Sequence, residues 1–110
     1  AGTVVLADFG ATIGREQSGL RPAVVISSDD FEEALSRLTL VVPCTSTARD
    51  WPNHVRLSGQ TGLPSATYAI TEQLRAIGVE RVVRAVGRVD EPTLARICQW
   101  VHRWIHQGVA

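Results

Sequence analysis

Apolar residues along this chain fall into short runs, alternating or continuous, separated by loops rich in glycine and polar side chains. Only near the end does their period lengthen to that of a helix. Seven strands are predicted. Thr3–Phe9 is the first. Pro22–Ser27 is the second, with Val24-Val25-Ile26 as an uncharged, β-branched centre. Leu38–Cys44 is nearly all apolar and so reads as the central strand. His54–Leu57 alternates, and Ser65–Ile70, Gln73–Ile77 and Arg81–Val89 follow. A short helix is expected over Ser28–Leu35, with Ser28 as cap and acids in its first turn. A longer one opens at Asp90-Glu91-Pro92, carries Leu94, Ile97, Cys98, Val101, Trp104 and Ile105 on one stripe, and stops at Gly108. On that stripe Trp104 belongs to the core and Trp100 lies off it. Several short strands closed by one amphipathic helix give an α+β class built on a small curled antiparallel sheet.

Two polar loops interrupt the pattern. Gly10 to Leu20 carries Gly10, Gly14 and Gly19, and Thr45 to Asn53 carries Arg49, Asp50, Trp51 and Pro52. Loops of this length in a small domain are commonly functional. Each loop borders a strand end that carries a polar group. Pro22 fixes its own φ and pushes Arg21 toward an extended backbone, so a permanent cation stands at the mouth of the second strand. Thr45 stands at the end of the third.

Length, at 110 residues, supports one domain. Eleven basic side chains balance eleven acidic ones, which argues against bulk, sequence-blind binding of nucleic acid and leaves room for a few placed cations. Every basic residue is arginine, a planar fork that can hold a phosphate at two points. Cys44 and Cys98 are the only cysteines, and both are expected to be buried thiols. His54, His102 and His106 have no acid or cysteine set to complete a metal site. His54 would serve as acid or base only if the fold brought it near Arg21. No apolar run is long enough to span a bilayer and no leader pattern opens the chain, so a soluble, cytoplasmic protein is expected.

The residues Asp8-Phe9, then Gly14-x-Glu16-Gln17-x-Gly19-x-Arg21-Pro22-Ala23-Val24-Val25, resemble the N-terminal signature of the MazF/PemK (Kid) toxins of bacterial toxin–antitoxin systems. Val42-Pro43-Cys44-Thr45-Ser46-Thr47 followed by Leu57-Ser58-Gly59-Gln60 is similar to the second signature of that family. Two blocks in order make the match specific. It spans nearly the whole chain and thins after Ile77.

The resemblance implies an SH3-like small β-barrel with added helices. It also implies a sequence-specific endoribonuclease toxin that cuts single-stranded RNA without a metal or other cofactor, acts as a homodimer, and is blocked by the disordered tail of a cognate antitoxin. In that chemistry a 2′-hydroxyl attacks the adjacent phosphorus, leaving a cyclic phosphate and a 5′-hydroxyl. Arg21 matches the family's catalytic arginine and suits the charged phosphorane; Thr45 matches its catalytic threonine. Glu16 matches a loop acid with two open roles, accepting the 2′-proton or orienting Arg21. Gln17 is placed to read a base edge, Arg15 adds a cation to the loop, and Ser46 and Thr47 can share the work of Thr45. Trp51 offers a stacking platform for an unpaired base. Asp8 either pairs with Arg21 or ends the first strand. The arginines of Val79–Arg88 extend either an RNA path or a dimer contact. The rival readings are a CcdB-type gyrase poison, which shares the implied fold and does no RNA chemistry, a plain SH3-like interaction module, and a degenerate toxin that binds RNA uncut.

Overall fold

The computed structural model describes residues 1–10 and 19–106. Its elements follow the predicted order: β1 Thr3–Asp8, β2 Leu20–Val25, α1 Asp29–Ala34, β3 Leu38–Thr45, β4 His54–Arg56, β5 Tyr68–Ile70, β6 Arg75–Gly78, β7 Val82–Arg88 and α2 Glu91–Trp104. Short 3-10 turns at Thr71–Gln73 and Val79–Arg81 join β5 to β6 and β6 to β7. The fifth strand is shorter than the pattern predicts, because Ser65 and Thr67 belong to the approach, where the Thr67 hydroxyl turns back onto the Ser65 carbonyl. No helix among the described residues is long and apolar enough to cross a membrane.

All strand pairs are antiparallel, in the order β4-β5-β3-β2-β1-β7, with β6 also on β3. β3 is the hub. One edge meets β2; the other is shared, with Leu38–Val41 on β6 and Cys44–Thr45 on β5. Pro43, which has no N–H to offer, falls between those two partners, where the sheet turns. The ladder curls, and because its end strands β4 and β7 do not pair it does not close into the expected barrel. The gap between β4 and β7 is bridged by backbone bonds from the glycine-rich turn instead, Arg88 N–H to the Gln60 carbonyl at 2.8 Å and Asp90 N–H to the Ser58 carbonyl at 2.9 Å.

Alternation along the three inner strands sorts their side chains onto two faces. Val4, Val24 and Val42 stand in one row and pack with Cys44, Val55, Leu57, Ala69, Ile97 and Val101. Val5, Ala7, Ala23 and Val41 pack with Ile77 on the other face. α2 covers the first face. Its Asp90 cap accepts from Thr93 N–H at 2.9 Å, as predicted, but its inward stripe is centred on Ile97 and runs through Thr93, Leu94, Trp100 and Val101. Cys98, about 100° round the helix from Ile97, falls at the rim of that stripe and is exposed, and Ile105, past the last helical residue, is 55% exposed. The two tryptophans exchange their expected places. Trp100 packs on the core, and Trp104 is half-exposed, stacked on Trp100 at 5.6 Å. The helix ends at Trp104 with Ile105 as cap; Gly108 lies outside the described residues.

Ser28 caps α1 by accepting from Phe31 N–H at 3.1 Å. Behind it, the Glu32 carboxylate accepts from Thr39 Oγ1 at 3.0 Å and from the Ser27 hydroxyl, which ties the helix to β3. Gly62 has φ +73°, and a Cβ there would lie 2.0 Å from the Val86 carbonyl oxygen of β7. Gly62→Ala should therefore cost about 2–3 kcal/mol of stability, visible as a lowered urea midpoint with an unchanged m-value. An unchanged midpoint would show that the turn does not hold the open edge.

Candidate active site

The register of β2 on β3 builds the site. Ala23 faces Pro43, Val24 faces Val42 and Val25 faces Val41. Carried on by two residues, this register sets Arg21 across from Thr45. Arg21 is also paired to Ala7 of β1, so the strand that carries it is held on both sides. The two side chains line two clefts in common. One, of about 400 Å³, is completed by Leu6, Pro22, Cys44, Ser46, Leu63, Pro64, Ser65 and Thr67. The other, of about 630 Å³, is completed by Arg49, Trp51, His54, Ile70, Glu72 and Gln73. Arg21 and Thr45 thus form the wall where the two clefts meet.

Arg21 is half-buried, and among the described residues no carboxylate pairs with it. Asp8 does not. Its Oδ1 accepts from Gly10 N–H at 2.8 Å and ends β1, the second of its two expected roles. Thr45 Oγ1 accepts from Thr47 N–H at 3.1 Å, a local turn that fixes the oxygen and leaves the hydroxyl proton to donate elsewhere. Ser46 borders the first cleft, and Thr47 lends its N–H to Thr45.

Beneath this wall sits Cys44. Burial pushes its thiol up to about 12, against smaller opposing effects from a Val24 backbone hydrogen bond and the Arg21 charge. The thiol is neutral at any ordinary pH, so it is packing and not a nucleophile.

Arg15, Glu16 and Gln17 lie outside the described residues. The ends of their loop are described. Phe9 N–H donates to the Gly19 carbonyl at 2.9 Å, and a Cβ on Gly19 would lie 2.7 Å from the Gly10 carbonyl oxygen. The loop is therefore pinched shut by backbone contact, directly before Arg21.

Trp51 is 51% exposed and lies at the second cleft. Asp50, at φ +58°, turns the chain just before it, and its ring meets that of His54 at 4.9 Å while Arg49 stands over it at 5.7 Å. The structure does bring His54 to the cleft of Arg21. It also adds Glu72, Gln73 and Arg49, none of which carries a local signal. Glu72 Oε1 accepts from Asn53 Nδ2 at 2.7 Å, and Oε2 lies 3.3 Å from His54 Nε2. His54 Nδ1 is buried without a partner. Of the arginines in 79–88, Arg81 donates to the Asp8 carbonyl at 3.1 Å, tying the turn before β7 to the end of β1, and Arg88 to the Ala1 carbonyl at 2.9 Å, tying β7 to the chain ahead of β1.

The family model for PemK-like, MazF-like toxins of type II toxin–antitoxin systems matches residues 1–105. The chain is 38% identical over 102 residues to Endoribonuclease MazF9 of Mycobacterium tuberculosis, covering 87% of this chain and 86% of that protein. It is 35% identical over 94 residues to Endoribonuclease toxin MazF of Escherichia coli K12, covering 86% and 78%. Among solved structures it resembles MazF of Deinococcus radiodurans, with a TM-score of 0.77, 24% identity and coverage of 94% of this chain and 93% of that one. It also resembles the MazE–MazF complex of that organism, with a TM-score of 0.79, 23% identity and coverage of 98% and 96%.

The thiols supply a direct check on this geometry. Iodoacetamide at pH 8 should modify the folded protein once, at exposed Cys98, and twice after denaturation. Rapid labelling of Cys44 in the folded state, read by peptide mass spectrometry, would show that the floor of the cleft is open.

Proposed function

The chain belongs to the PemK-like, MazF-like toxins of type II toxin–antitoxin systems, and from that membership and the shared wall of the two clefts we propose a sequence-specific endoribonuclease acting on single-stranded RNA. The wall that Arg21 and Thr45 share between the two clefts is the observation that carries the reading, and in it both act on one scissile phosphate. The 2′-oxygen attacks the adjacent phosphorus, the bond to the 5′-oxygen breaks, and a 2′,3′-cyclic phosphate and a 5′-hydroxyl result. No water is consumed.

The guanidinium of Arg21 offers two parallel N–H donors to the phosphorane oxygens, where negative charge builds. It hardly ever loses its proton and so is not the base. Thr45 donates its free hydroxyl proton to a non-bridging oxygen. Both groups stand at the ends of paired strands, so the charge they meet is met without reorganisation. Glu16 is assigned the 2′-proton. His54 is not, because its Nδ1 is buried and its Nε2 is engaged by Glu72. The departing 5′-oxygen takes up a proton from solvent, so one is given up and one gained. Trp51 stacks a neighbouring base, with Arg49 over the ring. Ser46 and Thr47 flank the phosphate path, and Arg15 and Gln17 of the first loop are assigned to RNA binding. The reaction needs no metal, since the guanidinium supplies the positive charge.

The partners follow from the same reading. A homodimer is the working unit, and a cognate antitoxin inhibits by laying a disordered tail in the RNA groove. The MazE–MazF complex of Deinococcus radiodurans, whose fold this chain resembles, supports such a partner.

Arg21→Ala should lower kcat by about 10³-fold and Thr45→Ala by about 10²-fold, with circular dichroism and melting unchanged. The assay is a gel of single-stranded RNA cut in buffer containing EDTA, with product ends identified by mass spectrometry. Full activity of Arg21→Ala would remove the catalytic assignment. Intact RNA with inhibited gyrase would favour the CcdB-type rival.

A further inference from the structure

Glu72 is an anomaly in a cleft read as holding a polyanion. Its side chain is 38% exposed and lines the same cavity as Arg21, Thr45 and Trp51. A carboxylate there repels phosphate. The remedy nearest to hand is a salt bridge with Arg49, which lines the same cleft, yet Arg49 stands over Trp51. Glu72 is instead held by one contact on each oxygen, Asn53 Nδ2 at 2.7 Å and His54 Nε2 at 3.3 Å. Each oxygen keeps a lone pair free to accept again.

The carboxylate is also built to stay in place. It projects from the 3-10 turn Thr71–Gln73, whose Thr71 is fully buried. Thr71 Oγ1 donates to the Asn53 carbonyl at 2.7 Å and accepts from Trp104 Nε1 at 3.1 Å. The His54 side chain behind it is 4% exposed. A fixed acceptor beside an exposed indole, one wall away from the phosphate groups, has the parts of a base-reading site: a face to stack on and an edge to bond.

We propose that Glu72 is a specificity-determining residue that accepts hydrogen bonds from the exocyclic amino group of a base stacked on Trp51, next to the scissile phosphate. This rests on the nuclease reading above. Guanine is the best fit, because its N1–H and N2–H₂ donors lie side by side and match two carboxylate oxygens. Adenine and cytosine offer one amino group each. Uracil offers a single N–H between two carbonyls, which face the carboxylate lone pairs and are repelled.

The test uses a single-stranded RNA library randomised on both sides of the cut, with 5′ ends of the products sequenced. Wild-type protein should disfavour uracil by about tenfold at one of the two nucleotides flanking the cut. Glu72→Gln, which keeps shape and loses charge, should abolish that discrimination at that position alone. A parallel arm needs no variant: replacing guanosine by inosine, or adenosine by purine riboside, at that position should slow wild-type cleavage by a similar factor. Cutting with an unchanged base preference in Glu72→Gln, or indifference of the wild type to loss of the amino group, overturns the inference and leaves the nuclease reading standing. No cutting of any sequence by the wild type overturns both.

Discussion

The pairing of β2 with β3 is the constraint on which the rest depends. Ala23, Val24, Val41 and Val42 are all fully buried, two toward each face, so the ladder is locked from both sides. A slip of one residue would exchange the faces of every side chain in the strand. Burying a valine is worth about 1.5–3 kcal/mol, so such a slip would lose several. The same slip would part Arg21 from Thr45. The core thereby sets the position of a polar pair at its margin, which explains how two groups so far apart in sequence can be aligned without a hydrogen bond between them.

Charge is distributed in keeping with that geometry. The chain is neutral overall, and Arg81 and Arg88 are committed to backbone carbonyls of the first strand region. Arg21 has no carboxylate partner among the described residues, and what lies under it is a neutral thiol and small apolar side chains. A low-dielectric floor strengthens any hydrogen bond made above it. The cleft of Arg21 can therefore attract an anion without the broad positive field that a net-neutral chain does not have.

Much of this could be read from the residues. The seven strands and both caps were legible because each announces itself locally, through β-branched runs or through Ser28 and Asp90 ahead of acids, whereas Arg21 and Thr45 were only polar residues at two strand ends until the resemblance joined them. What stayed hidden depends on contacts across the fold. Asn53, His54 and Glu72 meet only because β4 pairs with β5 and a 3-10 turn follows, and the sequence carries no mark of that turn. Trp104 is the last residue of α2, so its burial depends on where the helix ends and not on the stripe, while Trp100 reaches the core from the flank of the stripe. The sheet decides which flank turns inward, and Cys98 lost its expected burial for the same reason. The barrel expected from the family is a curled sheet because its end strands, β4 and β7, do not pair.

The two clefts differ in how their walls are held, and that difference bears on how such a site could diversify. Arg21 and Thr45 belong to strands fixed by backbone ladders and a buried core. In the wall of Trp51, His54 and Glu72, only His54 stands on a ladder, at one end of β4, and Glu72 is held by side-chain hydrogen bonds that run from Trp104 through Thr71 and Asn53. Side-chain links can be exchanged by single substitutions at little cost to the sheet, whereas the ladder cannot. In the proposed reaction, the groups that meet the phosphate are thus built into the part of the fold that resists change. The groups that would choose the neighbouring base stand on the part that tolerates it, and α2 joins the two by packing Ile97 into the core while its last residue holds the recognition wall.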